Sequence, residues 1–220
     1  MPDIAILIPS LNRAPALEAL VRNINETTPE GAHSTLFILD IADRESREVV
    51  RGLPRCRYLL ADGTFPVKIN AGVMGTTEPL ILSANDDVVF YPGWYEAATD
   101  AFEEKGVHVV GTDDLTPITR DRTHTTMPIL RRSYVKGPGA AFNETGTVFH
   151  EGYHHNYCET ELWQLACHRG VAKFAEECVI EHRHPNWGTA ALDETYRKGG
   201  RSNVEQDRQT FERRKAAWEA

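Results

Sequence analysis

Short apolar runs, IAILIP, TLFIL, PLILSA and VHVVG, recur along the first half of the chain. Runs without polar alternation are what strands buried on both faces show, as in a parallel sheet. After the first run, Pro15 sits where a first helical turn tolerates it, and Leu17, Leu20, Val21 and Ile24 repeat at helical spacing until ETTPEG stops the pattern. TLFIL ends in Asp40, and DRESREVVRGL predicts a short polar helix beginning near Asp43. RYLLA predicts a third strand, FPVKINAGVMGT a short helix with a glycine-containing end, and 94–105 a helix before VHVVG. Strands alternating with helices predict an α/β fold, a Rossmann-like, mostly parallel sheet flanked by helices with crossovers of one hand.

From about residue 115 the rhythm breaks into a segment rich in Thr, Pro, Gly and His, with a short strand predicted at ILRRSYV. Loops dominate here, and in open α/β sheets such loops wall the crevice outside the carboxyl ends of the strands. ETELWQLACHRG returns to helical spacing and Gly170 is placed to terminate it. CVIEHRHP predicts a last strand, and 204–220 a charged helix with few apolar anchors, docked on the surface or partly mobile.

In PLILSANDDVVFYPGW, a predicted core strand runs into Asn85, Asp86 and Asp87 before apolar sequence resumes. Adjacent carboxylates repel each other and resist desolvation, so a fold that places a pair there usually supplies a cation. Asp40, the Asn85-Asp86-Asp87 cluster, the Glu159-Thr160-Glu161 cluster and the His182-Arg183-His184 cluster all fall at strand ends or at a helix start. On one edge of one parallel sheet they would converge on a single site. Blander readings stand beside this one. Asp86 and Asp87 also suit a solvated turn, and Asp40 a capping acid. Glu159 and Glu161 suit acids in a first helical turn, and a strand His pair suits hydrogen-bonded scaffolding. A zinc site from His154, His155, Cys158, Cys167 and His168 is disfavoured, because Cys158 and Cys167 lie too far apart on one predicted helix to share a tetrahedral centre.

Composition narrows the partners. The 220 residues are 41% hydrophobic and 25% charged, enough for one domain with a full core. The net charge of −8 gives no basic field for a phosphate backbone, so nucleic acid is a disfavoured partner. No stretch approaches the roughly 18 apolar residues of a membrane span, and MPDIAILIPSLNR has an acid where a signal peptide needs a basic region. A soluble, cytoplasmic protein without an integral membrane segment is expected, with its four cysteines reduced.

Taken in order, ILIPSLNR, FILD, KINAG, LILSANDDV, CETELWQLACHRG and EHRHP resemble an inverting, family-2-type glycosyltransferase with the nucleotide-sugar-binding GT-A fold, over about residues 4–188. The resemblance implies a turn at Pro9, Ser10, Asn12 and Arg13 beside the nucleotide, and Asp40 accepting from the imide N–H of uracil or thymine. It implies Lys68 and Asn70 near the nucleotide or its phosphates, and Asn85 standing where the first Asp of an Asp-x-Asp motif is usual. Asp86 would then contact the ribose or orient bound water, and Asp87 would bind Mn²⁺ or Mg²⁺ directly. His182 is favoured as a further metal ligand, with His184 close behind. Glu159 becomes the general base, reaching about one methylene further than the usual Asp, and Glu161 the second choice.

The partners implied are a nucleoside-diphosphate sugar, of UDP or TDP type, and an acceptor hydroxyl on a glycan, a lipid-linked group, a protein or a modified base. The expected organisation is one GT-A domain over 1–188, with a nucleotide part to about 114 and an acceptor part over 115–188, and a helical extension over 189–220. The alternatives are a sugar-phosphate nucleotidyltransferase, whose Gly-rich phosphate loop IPSLNRAPAL lacks, and a non-catalytic nucleotide-sugar-binding module.

Overall fold

A computed structural model of the chain describes residues 3–191 and 203–220. Strand β1 (Ile4–Ser10) leads into α1 (Ala14–Thr27), then β2 (His33–Leu39), α2 (Arg44–Gly52), β3 (Cys56–Leu60) and α3 (Phe65–Met74). Strands β4 (Leu80–Ser83) and β5 (Val88–Phe90) follow, then α4 (Trp94–Glu103), β6 (Val109–Asp113), β7 (Ile129–Arg131) and α5 (Arg132–Lys136). The chain continues through α6 (Cys158–His168), β8 (Ala172–His182) and a 3₁₀ turn (Pro185–Trp187), and the helix Val204–Glu219 is α7.

The strands form one eight-stranded sheet in the order β3-β2-β1-β4-β7-β6-β8-β5, in which β7 and β5 run antiparallel to their neighbours. The mostly parallel sheet expected from the apolar runs is present, and its helices cover both faces. On one face Ile4, Ile6 and Ile8 of β1 pack with Leu17 and Ile24 of α1 and Trp94 of α4. On the other, Ala5 and Leu7 pack with Ile69 of α3, Leu162 of α6 and Phe211 of α7. Alternate residues of β1 thus enter opposite cores, which is why its sequence shows no polar alternation.

Three local expectations need correction. VVF at 88–90, which the sequence left unassigned, is β5. In ILRRSYV only Ile129–Arg131 is strand, because Arg132 turns inward. Its guanidinium donates to the carbonyls of Glu78 and Val73 and to Thr76 Oγ1, at 2.6, 2.8 and 2.8 Å, tying α5 to the end of α3. The last strand begins at Ala172 and ends at His182, so His184 is not on it. His184 instead caps the 3₁₀ turn, with Nδ1 accepting from Asn186 N at 3.1 Å.

Strand β8 changes partner halfway. Its pairing with β6 jumps from Thr112↔Ala175 to Asp113↔Val179, and Ile180, Glu181 and His182 then pair with Phe90, Val89 and Val88 of β5. The register sets His182 directly beside the acidic cluster at the start of β5. On the opposite face, Gly111 leaves room for Trp163 of α6; a Cβ there would lie 2.7 Å from the indole.

The C-terminal helix is docked on the surface with few apolar anchors, Phe211 and Trp218, as expected, and it also buries the polar Asp207 and Thr210. Part of the expected extension, 192–202, lies outside the described residues. All four cysteines are free thiols. Among the described residues no helix is long and apolar enough to cross a membrane.

His33, at the start of β2, is 3% exposed. Burial, then the Arg55 charge, pushes its imidazole down from 6.5 to about 4. Between those values the unfolded chain takes up a proton that the folded chain refuses, so His33 withdraws stability as pH falls through that window and has no effect above it. His33→Gln is expected to flatten the fall of stability between pH 6.5 and 4. Urea melts at several pH values check it, and an unchanged slope would remove His33 from the acid response.

Candidate active site

The acidic motif is delivered by β4, whose last residues are fully buried, and is met by side chains from β1, α1 and β8. Ser10, the last residue of β1, donates from Oγ to Asp86 Oδ2 at 2.7 Å. Arg13, at the head of α1, lies 3.2 Å from Asp86 Oδ1 and 3.6 Å from Asp87 Oδ2. His182 Nε2 lies 3.3 Å from Asp87 Oδ1, and Arg183 N donates to the Asp87 carbonyl at 2.8 Å. Burial works to lower the His182 imidazole, but Asp87, then Asp114 and Glu159, outweigh it and the imidazole is raised. The His184 ring is 5.5 Å from that of His182, and burial, with repulsion from His182, lowers it.

Pro9 lies within β1 and Asn12 adopts a left-handed conformation, φ 56°. Asn12 N donates to Asp43 Oδ2 at 2.8 Å, while Asp43 Oδ1 caps α2 by accepting from Ser46 N. The turn after β1 is therefore anchored to the turn after β2. Asp40, at the end of β2, accepts from Lys68 Nζ of α3 at 2.9 Å, and both are largely shielded. Leu11 and Ile41, 40% and 58% exposed, flank these acids on the same edge.

Asn70 is placed elsewhere. Its Oδ1 accepts from Val148 N and Phe149 N, and its Nδ2 donates to the Phe149 carbonyl and to Glu151. With both donors and both acceptors engaged, it clamps the 148–151 loop and has nothing left for a nucleotide.

The two acids of α6 separate. Glu161 is 2% exposed and is gripped by Arg214 of α7, Nε to Oε2 at 2.7 Å and Nη2 to Oε1 at 2.8 Å, with Tyr153 donating at 2.7 Å. It is committed to the interior. Glu159 is half-buried and shares the cleft: its charge acts to raise both His182 and His124. Positions two apart on a helix point in nearly opposite directions, so one faces the crevice and the other the core.

Residues that the sequence reading missed complete the walls. Asp114, fully buried after β6, accepts from Thr116 N and from the hydroxyls of Thr116, Thr119 and Thr126, while its carbonyl accepts from His182 N. His124 is lowered by burial against the pull of Glu159, Asp114 and Asp121. A run of threonines around one acid was the available signal.

Among the described residues no group of three or more His, Cys, Asp or Glu side chains is arranged to hold a metal. The zinc alternative therefore finds no cluster; His154 instead meets Asp207, and Cys158 is buried. Asp87 with His182 does fit a smaller donor set. Two adjacent ligands of an octahedral ion with bonds near 2.1 Å lie about 3 Å apart, close to the observed pair, and Mg²⁺ commonly takes one or two protein ligands and completes its shell with phosphate and water.

The fold thus brings an acidic strand end and a glutamate at the start of α6 to one side of the sheet. No protein-family model and no curated protein matches the chain. Solved structures do. A mannosyltransferase from Pyrobaculum calidifontis, in complex with GDP-Man and Mn²⁺, superposes with a TM-score of 0.69 at 14% identity, covering 86% of this chain and 59% of its own. TarS from S. aureus, in complex with UDP-GlcNAc, gives 0.65 at 11%, covering 87% and 62%. Glucosyl-3-phosphoglycerate synthase from Mycobacterium tuberculosis, in complex with Mn²⁺, UDP and glucosyl-3-phosphoglycerate, gives 0.57 at 12%, covering 83% and 72%. The chain thus has the GT-A glycosyltransferase fold and spans 59% of the length of the mannosyltransferase.

The unlike settings of the two α6 acids are separable by stability. Glu161→Ala is expected to lose about 3 kcal/mol, the lower end for removing one partner of a buried ion pair, since Arg214 keeps Glu144 at 3.0 Å. Glu159→Ala should stay within about 0.5 kcal/mol. Urea midpoints decide it, and equal losses would mean that Glu161 is no more structural than Glu159.

Proposed function

We propose that the chain is a metal-dependent glycosyltransferase that moves a sugar from a nucleoside diphosphate to an acceptor hydroxyl with inversion at the anomeric carbon. The observation that carries this reading is the meeting of Asp87, His182, Asp86 and Arg13 at the end of β4, with Glu159 acting electrostatically on His182 from across the crevice. The GT-A fold, and neighbours in complex with nucleotide sugars and Mn²⁺, support it.

In this reading Asp87 and His182 hold Mn²⁺ or Mg²⁺, which when bound supplies positive charge against the charge gathering on a departing diphosphate. Asp86, fixed by Ser10 and Arg13, is set to receive a ribose hydroxyl or bound water. Asp40, held by Lys68, offers carboxylate oxygens as acceptors, suited to the imide N–H of uracil or thymine and unsuited to N3 of cytosine. Glu159 takes the proton from the acceptor hydroxyl as its oxygen attacks opposite the leaving phosphate. Glu161, sealed under α7, has no part in proton transfer.

Two measurements test the reading. Calorimetric titration with UDP and CDP in Mn²⁺ should show tighter binding of UDP to the wild type, and loss of the metal-dependent part of that binding in Asp87→Ala. Equal affinity for the two nucleotides, or an unaffected Asp87→Ala, counts against the donor site. Glu159→Gln keeps the shape but cannot accept a proton, so initial transfer rates should fall by about 10² to 10⁴ with donor affinity nearly unchanged. Normal turnover would remove Glu159 as the base and leave a binding module as the better account.

A further inference from the structure

The C-terminal helix grips the approach to Glu159 at three successive levels. Near its start, Asp207 is fully buried, and its carboxylate accepts from three consecutive backbone amides: His154 at 2.8 Å, His155 at 3.0 Å and Asn156 at 2.8 Å. Burial works to raise this carboxyl, and the three amides outweigh it and hold it below the usual range. One turn on, the Phe211 ring stacks on Tyr157 with centroids 5.5 Å apart. Tyr157 is the residue before α6 and sits in the left-handed region at φ 65°, a conformation a bulky side chain adopts only under constraint. A further turn on, Arg214 holds Glu161 through two bonds and the Phe142 carbonyl through a third.

The segment so held, 153–161, contains Glu159 and also touches the nucleotide side. Phe65 N, at the head of α3, donates to the His154 carbonyl at 3.2 Å, and the His155 ring stands edge-on to Phe65 at 5.3 Å. The same helix α3 carries Lys68, the partner of Asp40. The turn at 154–156 is therefore a splint between the donor-side helix and the helix that begins with the candidate base, and its polar groups are satisfied from α7.

The geometry points to Asp207 as a positioning residue for transfer: by holding the 154–156 amides it fixes the left-handed entry to α6 and so aims Glu159 at the acceptor hydroxyl, with Arg214 locking the next turn of that helix. This rests on the glycosyltransferase reading above. Asp207 touches no reacting atom; it acts through the backbone that carries Glu159. Misplacement of a reacting group by about an ångström costs on the order of 10²-fold in rate, while the proposed donor groups Asp40, Asp86, Asp87 and His182 stand at the ends of β2, β4 and β8 and Lys68 stays paired with Asp40, so donor binding changes far less.

The test uses the full chain and three readouts: amide hydrogen exchange over 154–156, affinity for UDP with Mn²⁺, and kcat for transfer. Asp207→Asn keeps the size but turns an N–H₂ group toward amides that need an acceptor. It is expected to speed exchange at the three amides and to lower kcat by about 10²-fold, with UDP affinity unchanged. Trp218→Phe loosens the same helix at its far end, against His168, and should leave kcat as it is. Unchanged kcat in Asp207→Asn, or the same loss in both variants, would overturn the inference and leave α7 a stabilising helix only. If Asp207→Asn does not melt cooperatively, Asp207→Glu takes its place. It keeps the charge and displaces the turn by a methylene, and the same pattern of lost kcat with intact UDP affinity is expected. A wild type that binds no nucleoside diphosphate overturns the proposed function, and this inference with it. A wild type that binds and transfers beside an equally fast Asp207→Asn overturns this inference alone.

Discussion

Two neighbouring carboxylates at the end of a strand sealed on both faces are an electrostatic problem that the rest of the fold is arranged to meet. Asp86 and Asp87 are 13% and 12% exposed in their side chains, too little for water alone to offset their mutual repulsion. Their partners come from residues far off in sequence. Arg13 enters because β1 lies beside β4 and α1 starts at that edge. His182 enters because β8 leaves β6 and pairs with β5 for its last residues. A shift of one residue in that pairing would turn His182 to the other face of the sheet, so the register between β5 and β8 is as much part of the site as the acids are.

Much of this was legible in the sequence because burial on both faces leaves a plain mark. IAILIP and PLILSA read as interior strands, ETTPEG and Gly170 as helix ends, and Asp43 as a cap, since each follows from a rule that acts within a few residues. What was not legible depends on contacts made at long range. VVF at 88–90 is a strand only because the end of β8 reaches it. ILRRSYV is cut short only because the Arg132 guanidinium finds carbonyls at the end of α3. Asn70 carries a polar side chain on the same helix as Lys68, but the 148–151 loop consumes its hydrogen-bonding capacity.

The C-terminal helix is the docked one of the two alternatives its charged composition left open. The spacing shows how: Val204, Asp207, Phe211, Arg214 and Trp218 follow the three-and-four rhythm of one inward-facing stripe, with charges at two of the five places. Charged residues inside an apolar stripe require partners, and the partners are the 154–156 amides and Glu161. The two acids of α6 are thus set apart by an arginine 53 positions later, which holds Glu161.

The net charge of −8 bears on how such a site would recruit an anionic donor. A negative protein offers no long-range attraction for a nucleoside diphosphate, and at physiological ionic strength the screening length of about 8 Å confines any pull to the immediate site. On the proposed reading, attraction must then come from short-range groups with little exposure, namely Arg13, Lys68 and the bound cation, each already neighbour to a carboxylate. Arg13 and Lys68 are each paired with an acid in the structure, so on that reading the site gains affinity by exchanging partners rather than by drawing on unspent charge. An acidic chain can serve an acidic ligand on those terms, because partly shielded pairs interact through a lower effective dielectric than water, where a change of partner by an ångström or two carries more energy than the field of the whole surface.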